Sequence, residues 1–96
     1  MIVSFANKLA DDLFEDRKSK EVRSFPNELY RTARRKILYI HDAAELSDLK
    51  VPPGNKLEVL KGDLVGYHSI RINIHWRVVF RWNNGNAEEL SVIDYH

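Results

Sequence analysis

The last three residues of the chain are the ones whose types best suit proton transfer. Asp94, Tyr95 and His96 place a carboxylate, a phenol and an imidazole side by side. The carboxylate that follows His96 favours its charged imidazolium form, which suits a general acid near neutral pH. Polar residues at a chain end can instead form a frayed tail. The cluster is therefore a candidate acid–base group that needs binding residues beside it.

Basic side chains in the second half of the sequence form a candidate binding group. Residues 56–81 contain five basic and two acidic residues: Lys56, Lys61, Arg71, Arg77 and Arg81 against Glu58 and Asp63. Arg77 and Arg81 share one face of a predicted strand, about 13 Å apart by strand rise. With the rings of Tyr67 and Tyr95, such cations suit a single-stranded nucleic acid. The alternative is a solvated sheet face with cross-strand ion pairs, such as Arg81 with Glu89.

The composition excludes several other kinds of site. The chain has 96 residues, of which 44% are hydrophobic and 30% charged, so one domain over residues 1–96 is expected. It has no cysteine, no metal-ligand spacing of histidines, no glycine-rich phosphate loop and no serine elbow. We therefore expect no metal and no cofactor. The lack of a membrane-spanning apolar run or a leader favours a cytosolic protein, with no membrane partner.

Apolar periodicity predicts the elements that must position these residues. Residues 2–5 form a first strand, residues 5–14 a helix with one apolar face, and residues 17–24 a loop. Pro26 opens a second, longer helix that ends near residues 42–45. After residue 55 the period becomes two, which predicts strands near residues 57–59, 67–75, 76–82 and 90–95. Two helices followed by an antiparallel sheet make an α+β domain.

The last hairpin poses a register problem. A strict two-residue turn at Asn84 and Gly85 would move the apolar residues of the final strand onto the arginine-bearing face. We therefore expect a five-residue loop over residues 83–87. That loop sets Val78 opposite Val92 and Arg81 beside Glu89.

An ordered set of short motifs resembles the HigB toxins of the RelE–ParE superfamily, which belong to bacterial type II toxin–antitoxin systems. The motifs are Pro52-Pro53-Gly54-Asn55-Lys56-Leu57-Glu58, Leu60-Lys61-Gly62-Asp63, Gly66-Tyr67-His68-Ser69-Ile70-Arg71-Ile72-Asn73, Trp76-Arg77-Val78-Val79-Phe80, Val92-Ile93-Asp94-Tyr95-His96 and the opening Ile2-Val3-Ser4-Phe5. Each motif is short, but the set spans essentially the whole chain.

The resemblance implies a fold, an activity and a set of partners. The fold is a small, twisted antiparallel sheet with two N-terminal helices packed on one face. The activity is a metal-independent endoribonuclease that cuts mRNA in the A site of the ribosome. The partner is a HigA-type helix-turn-helix antitoxin, through which alone the toxin contacts operator DNA.

The resemblance also implies roles for single residues. Arg77 would stabilise the phosphorane, and Lys61 would hold phosphate. In the terminal cluster, His96 would transfer protons, Tyr95 would stack or move a proton, and Asp94 would orient a neighbour or act as a base. Four further residues complete the expected RNA-binding set: Lys56, Arg71, Arg81 and Tyr67.

One position departs from the family pattern, and two other functions stay open. Some members carry a histidine where this chain has Glu58, which could be a general base or have a structural role. A catalytically inactive, antitoxin-bound co-repressor is the alternative function, although Arg77 and His96 are both retained. A ribonuclease acting on free RNA is less favoured, because a net charge of +1 gives little long-range attraction.

Overall fold

The computed structural model describes residues 1–95, in which three helices lead into a four-stranded antiparallel sheet. The elements are α1 (Lys8–Glu15), α2 (Lys20–Ser24), α3 (Tyr30–Asp42), β1 (Glu58–Val59), β2 (His68–Arg71), β3 (Trp76–Asn83) and β4 (Asn86–Asp94). The strands lie in the order β1-β2-β3-β4. This architecture confirms the predicted α+β class. Within residues 1–95, no helix combines the length and the apolar character needed to cross a membrane.

The hydrophobic core lies between the sheet and the two longer helices, α1 and α3. The fully buried members of the core are Ala10 and Leu13 of α1, Ala33, Ile37 and Ile40 of α3, and Ile70, Val78, Phe80, Ala87 and Leu90 of the sheet. Burial of each large apolar side chain is worth about 1.5–3 kcal/mol. The helices therefore cover one face of the sheet, as predicted, and leave the basic residues of the strands on the other face.

Asn7 begins α1 and also attaches it to the sheet. Its Oδ1 accepts a hydrogen bond from the N–H of Ala10 at 3.0 Å, which caps the helix. Its Nδ2 donates to the carbonyl oxygen of Val92 on β4 at 3.0 Å. One side chain thus fixes the helix start and its position over the last strand.

Two helix predictions need correction. Residues 17–24 were predicted to be a loop, but α2 forms there because the Ser19 hydroxyl caps the N–H of Val22 at 3.2 Å and Val22 is buried. The long helix begins at Tyr30 rather than at Pro26, after a 3-10 turn over Asn27–Leu29. Its end at Asp42 agrees with the prediction.

The predicted first strand is only a pair of isolated bridges. Ile2 pairs with Ala87 and Phe5 with Leu90, both in parallel orientation. Four backbone hydrogen bonds of 2.7–3.1 Å join residues 1–6 to residues 87 and 90. The N-terminal segment therefore covers the free edge of β4, which reduces its exposure to other chains.

The β3–β4 hairpin is built differently from the prediction. The turn has two residues, Asn84 and Gly85, with φ angles of 50° and 81°. The expected five-residue loop was therefore wrong. The register is restored by a β-bulge between Val79 and Arg81, where Glu89 has a φ of 51°. A bulge inserts one residue, so Val78 faces Val92 as predicted despite the short turn.

Strand β2 is shorter than its alternating pattern predicted. It ends at Arg71, and residues 72–75 form a tight turn. The Asn73 side chain oxygen accepts hydrogen bonds from the N–H groups of His75 and Trp76, at 2.9 and 2.7 Å, and so competes with the strand ladder. Ile74, predicted to lie on the apolar face, is 74% exposed in this turn.

Candidate active site

The sheet face away from the helices carries the basic residues of the strands. Side chains alternate along each strand, so Ser69 and Arg71 of β2 lie on this face with Arg77 and Arg81 of β3. Ile70, Val78 and Phe80 point to the helices. We call the polar side, defined by Ser69, Arg71, Arg77 and Arg81, the arginine face.

Arg77 is the most firmly held residue of the arginine face. Only 5% of it is exposed. Its Nε donates to the Ser69 hydroxyl at 2.7 Å, and its Nη2 donates to the backbone carbonyl of Lys56 at 2.7 Å. The same Nη2 lies 3.0 Å from Oε1 of Glu58. The guanidinium therefore has a defined orientation before any substrate binds.

The contacts of Arg77 leave few of its N–H groups for a ligand. A guanidinium carries five N–H groups, one on Nε and two on each terminal nitrogen. The Ser69 hydroxyl accepts the N–H of Nε. The N–H groups of Nη2 face the Lys56 carbonyl and the Glu58 carboxylate. A bidentate phosphate needs two parallel N–H groups on different nitrogens. Such a ligand can bind Arg77 only by replacing one of these three partners, and exposed Glu58 is the easiest to replace.

The local charge around Arg77 is positive. Burial lowers the pKa of the Arg77 guanidinium, the Glu58 carboxylate opposes that shift, and Arg71 adds to it. Arginine nevertheless stays protonated, because the ordinary pKa of its guanidinium lies far above neutral pH. Arg71 faces Arg77 across the strands, and its buried Nε has no hydrogen-bond partner within residues 1–95. Two guanidinium groups with one carboxylate make this a site for an anion.

The loop before β1 aims the Lys56 carbonyl at Arg77. Lys56 has φ 48° and ψ 54°, directly after the 3-10 turn Pro53–Asn55. Asn55 is fully buried; its Nδ2 donates to the Leu49 carbonyl at 3.1 Å, and its Oδ1 accepts from Nζ of Lys36. The side chain of Asn55 thus fixes the loop, while the Lys56 side chain itself is exposed.

The structure describes two of the three residues of the predicted terminal cluster, Asp94 and Tyr95, and places their side chains differently. The Tyr95 ring lies 5.9 Å from Cζ of Arg77. The backbone N–H of Tyr95 donates to the backbone carbonyl of His75 at 2.6 Å. Asp94 pairs with Trp76, so the strand register puts its side chain on the helix side rather than beside Arg77. His96 lies outside the described residues. Tyr95 therefore joins the site, and Asp94 does not reach it directly.

Arg81 belongs to a second group on the arginine face. Its Cζ lies 5.1 Å from the Tyr67 ring, and its Nε lies 3.9 Å from Oε2 of Glu89. The Tyr67 hydroxyl donates to Oε1 of Glu89 at 2.9 Å. The predicted ion pair of Arg81 with Glu89 is confirmed, but the strand register pairs Arg81 with Glu88 rather than with Glu89. Lys61 is exposed, directly before the 3-10 turn Gly62–Leu64.

Sequence reasoning missed Ser69 and the Lys56 carbonyl. A backbone acceptor leaves no residue-type signal, and a serine in a strand is common. The one available signal was the position of Ser69 on the same strand face as Arg71, within reach of an arginine on the next strand. As for metals, residues 1–95 contain no group of three or more His, Cys, Asp or Glu side chains placed to hold an ion.

Comparison with known families and proteins gives consistent matches. Residues 3–96 match the HigB-like toxin family, described as the RelE-like toxin of type II toxin–antitoxin system HigB. Toxin HigB-1 of Vibrio cholerae serotype O1 (strain ATCC 39315 / El Tor Inaba N16961) is 37% identical over 91% of this chain and 90% of its own. Endoribonuclease HigB of Proteus vulgaris is 49% identical over 41 residues, which is 43% of this chain and 45% of that protein.

Solved structures share the fold at low sequence identity. The YoeB–YefM complex from Staphylococcus aureus contains a chain that superposes with a TM-score of 0.61 at 18% identity, covering 100% of this chain and 98% of that one. A heterotetrameric YoeB–YefM toxin–antitoxin complex from the same species gives 0.58 at 16% identity, with the same coverage. The likeness confirms the predicted fold.

Proposed function

The chain belongs to the HigB-like family of RelE-like toxins from type II toxin–antitoxin systems, and from this we propose that it is an endoribonuclease that cleaves mRNA in the A site of the ribosome. The observation that carries the proposal is the fixed guanidinium of Arg77, which faces an anion site with one exchangeable partner. The relative named Endoribonuclease HigB supports the same reaction class.

The proposed reaction is an internal transfer at one phosphate of the RNA. The 2′-oxygen of a nucleotide forms a bond to the adjacent phosphorus, and its proton passes to a base. The bond from phosphorus to the 5′-oxygen breaks, and an acid protonates that oxygen. The products are a 2′,3′-cyclic phosphate and a free 5′-hydroxyl. Arg77 stabilises the additional negative charge of the pentavalent phosphorane between these two steps.

Glu58 has two successive roles in this proposal. Before RNA binds, its carboxylate neutralises Arg77 at 3.0 Å. When a phosphate binds Arg77 bidentately, it displaces Glu58, which loses its cationic partner and lies beside a new anion. Both changes make a carboxylate a better proton acceptor. Glu58 then serves as the general base for the 2′-hydroxyl.

We assign the remaining steps to the end of β4. His96 donates the proton to the departing 5′-oxygen. Tyr95 is 38% exposed and next to Arg77, so its ring stacks on a base flanking the cleaved phosphate. Asp94 orients the last residues rather than acting on the substrate, because its register places it on the other side of the sheet.

The RNA path follows the arginine face away from Arg77. Arg71 lies opposite Arg77 on the neighbouring strand, so its guanidinium binds the same phosphate or its neighbour. Arg81 and Tyr67 lie farther along the face and bind a second nucleotide, phosphate and base respectively. The exposed side chains of Lys56 and Lys61 hold phosphates at the margin of the site.

The setting of the reaction follows from the small net charge. A chain with a formal charge of +1 attracts free RNA weakly, whereas the ribosome presents an mRNA already positioned. The protein therefore acts in the bacterial cytoplasm, without a metal, and is neutralised by a HigA-type antitoxin. It contacts operator DNA only through that antitoxin.

The test is cleavage of a defined mRNA with and without programmed ribosomes, with the product ends mapped and with a chelator present in a parallel reaction. The proposal expects cuts only on ribosomes, 2′,3′-cyclic phosphate ends and no effect of the chelator. Absence of cleavage by folded protein would support the alternative function, an inactive toxin-like module that acts as a co-repressor with its antitoxin.

A further inference from the structure

The side chain of Lys36 is buried on the inner side of α3, and it has no part in the cleavage steps proposed above. Only 6% of the residue is exposed, although lysine is almost never fully buried unless it is paired. Its Nζ lies 5.8 Å from the Tyr39 ring, and within residues 1–95 it forms no ion pair with a carboxylate. Burial lowers the pKa of Lys36, and the charge of Arg35 lowers it further. Because burying a cation is costly, a lysine at this position indicates a specific role.

The contact of Lys36 with the loop before β1 selects one orientation of the Asn55 amide. Nζ of Lys36 donates to Oδ1 of Asn55, which is fully buried. Nδ2 of Asn55 donates to the backbone carbonyls of Leu49 at 3.1 Å and Val51 at 3.3 Å. An ammonium group can only donate, and a carbonyl oxygen can only accept. The amide therefore satisfies all three partners in this orientation and none of them in the flipped one.

The backbone of Lys56 connects the Asn55 amide to the guanidinium of Arg77. Lys56 has φ 48° and ψ 54°, a left-handed conformation that is uncommon for residues other than glycine. Such a conformation persists only where the surrounding structure imposes it. It directs the Lys56 carbonyl to Nη2 of Arg77, which donates to it at 2.7 Å. If Asn55 lost its contacts with Leu49 and Val51, the loop would relax and this carbonyl would turn away from Nη2.

We propose that Lys36 is a positioning residue for Arg77: through Asn55 it holds the Lys56 carbonyl against Nη2, and so fixes the plane of the guanidinium that faces the phosphate. This inference rests on the proposed function, in which that plane binds the cleaved phosphate. The link begins on α3, on the helix side of the sheet, and ends on the arginine face. Lys36 therefore acts without touching the RNA. The alternative is a structural anchor, which would stabilise the fold without affecting the guanidinium.

The experiment follows the two terminal nitrogens of the Arg77 guanidinium by NMR, in the folded protein without RNA. A held guanidinium gives separate signals for these nitrogens, a rotating one gives an averaged signal, and Arg77→Lys identifies the signals by their loss. Lys36→Met removes the donor but keeps an unbranched side chain, and we expect it to average the Arg77 signals. Lys36→Arg keeps a group that can only donate, and should keep them separate. Ile37→Val is the matched control, since it weakens the packing of α3 at the next buried position, and it should also keep them separate.

Single-turnover cleavage on ribosomes is the second measurement. Lys36→Met should cleave about tenfold more slowly at saturating ribosomes, with its affinity for them changed less than about twofold, because orientation is lost but no RNA contact is. Asn55→Asp provides the same test if Lys36→Met does not fold. Its carboxylate keeps Lys36 paired but cannot donate to the carbonyls of Leu49 and Val51. It should therefore average the Arg77 signals and slow cleavage as well.

Two results would overturn the inference. Separate Arg77 signals, or an unchanged cleavage rate, in the folded variant of Lys36 or Asn55 would leave Lys36 as a structural anchor. An equal slowing in Ile37→Val would show an effect of stability alone. Cleavage by the wild-type protein is measured on the same ribosomes. Averaged Arg77 signals in Lys36→Met, without cleavage by the wild type, would contradict the proposed function and leave the positioning of Arg77 by Lys36 standing.

Discussion

At the residue scale, the proposed function depends on how Arg77 is held and on which partner it can release. Ser69 and the Lys56 carbonyl are buried or backbone partners that keep the guanidinium in place, whereas Glu58 is the partner that we propose exchanges with substrate. Two partners of the Arg77 side chain therefore fix its position, and the third occupies the place where a phosphate would bind. Two substitutions test it.

Replacing Arg77 by alanine should reduce cleavage on ribosomes about 10²–10³-fold, the usual loss when a fixed donor to a developing negative charge is removed. Arg77→Lys is the matched control, because it keeps the charge but not the planar pair of donors. It should restore only part of the rate. Single-turnover cleavage of a ribosome-bound mRNA measures both. Cleavage by Arg77→Ala at the wild-type rate would contradict the assignment.

Replacing Glu58 by glutamine should change binding and cleavage in opposite directions. Without the carboxylate, Arg77 is free for phosphate, so an RNA with a 2′-deoxy nucleotide at the cut site should bind more tightly. The cleavage rate should fall, because the proposed base is missing. Glu15→Gln is the control, since Glu15 is exposed at the end of α1, away from the arginine face, and the change in net charge is identical. If both variants alter binding alike, net charge explains the effect and the exchange model fails.

At the element scale, the sequence pattern was most reliable where burial imposes a strict period. The alternation of Trp76, Val78, Phe80 and Trp82 gave the core face of β3 correctly, because all four belong to or pack against the core. The pattern failed where a single residue, rather than burial, sets the local backbone conformation. Asn73 ends β2 by taking two N–H groups, Ser19 starts α2 by capping one, and the bulge at Glu89 corrects the register of a short turn.

For the candidate site, the sequence predicts which strand face carries the arginines but not which groups contact them. The positions of Arg71, Arg77 and Arg81 on one face follow from period two alone. The partners of Arg77 do not, because they depend on the Lys56 loop, which is fixed by contacts between Asn55 and distant residues such as Lys36.

The hairpin turn gives a test of local backbone geometry. Gly85 has a φ of 81°, and an added Cβ would lie 3.4 Å from the carbonyl oxygen of Ala44. Gly85→Ala should therefore lower the free energy of unfolding by about 1–2 kcal/mol. Gly54→Ala is the matched control, because its Cβ would meet open space without a positive φ, and it should leave stability unchanged or slightly raised. Urea unfolding compares them; equal effects would exclude the geometric explanation.

The carboxylate of Asp12 tests how the first two helices are joined. It is buried in α1, and hydrogen bonds from Lys8, and then from Ser19 and Arg17, lower its pKa from its ordinary 3.8 to about 2. A lowered pKa means that the folded state is stabilised above about pH 4, and that this stabilisation is lost as the pH falls through 2. Asp12→Asn should therefore lower the urea midpoint at pH 7, and its difference from wild type should shrink as the pH falls from about 4 through 2.

Asp11→Asn is the control for that experiment, because Asp11 is more exposed and lies 3.4 Å from Arg17. It should lower the urea midpoint less than Asp12→Asn at pH 7. A gap between Asp12→Asn and wild type that stays constant with pH would point to packing rather than to the charge of Asp12.

At the scale of the whole molecule, opposite surfaces carry different tasks. The arginine face binds and cleaves RNA in the proposed function, whereas α1 and α3 cover the opposite face and complete the core. Such a division explains how a chain with a formal charge of +1 can act on a polyanion, because its charges are segregated rather than numerous.

Expression of the protein without its antitoxin should arrest bacterial growth, because cleaved mRNA stops translation. Arg77→Ala, produced at the same level, should restore growth, and co-expression of the antitoxin should restore it with the wild-type protein. Growth curves together with immunoblots give the measurement. Normal growth at verified expression of the wild type would count against the nuclease function.

The hydrogen bonds between the N-terminal segment and β4 impose an order on biosynthesis. The N–H of Glu89 donates to the Ser4 hydroxyl across 85 residues of chain. At a synthesis rate of about 5–20 residues per second, Glu89 is added about 4–17 s after Ser4. Tyr95, beside Arg77, is added later still. Until Glu89 and Tyr95 have been added, a nascent chain therefore lacks both the covered edge of β4 and the contact between Tyr95 and Arg77.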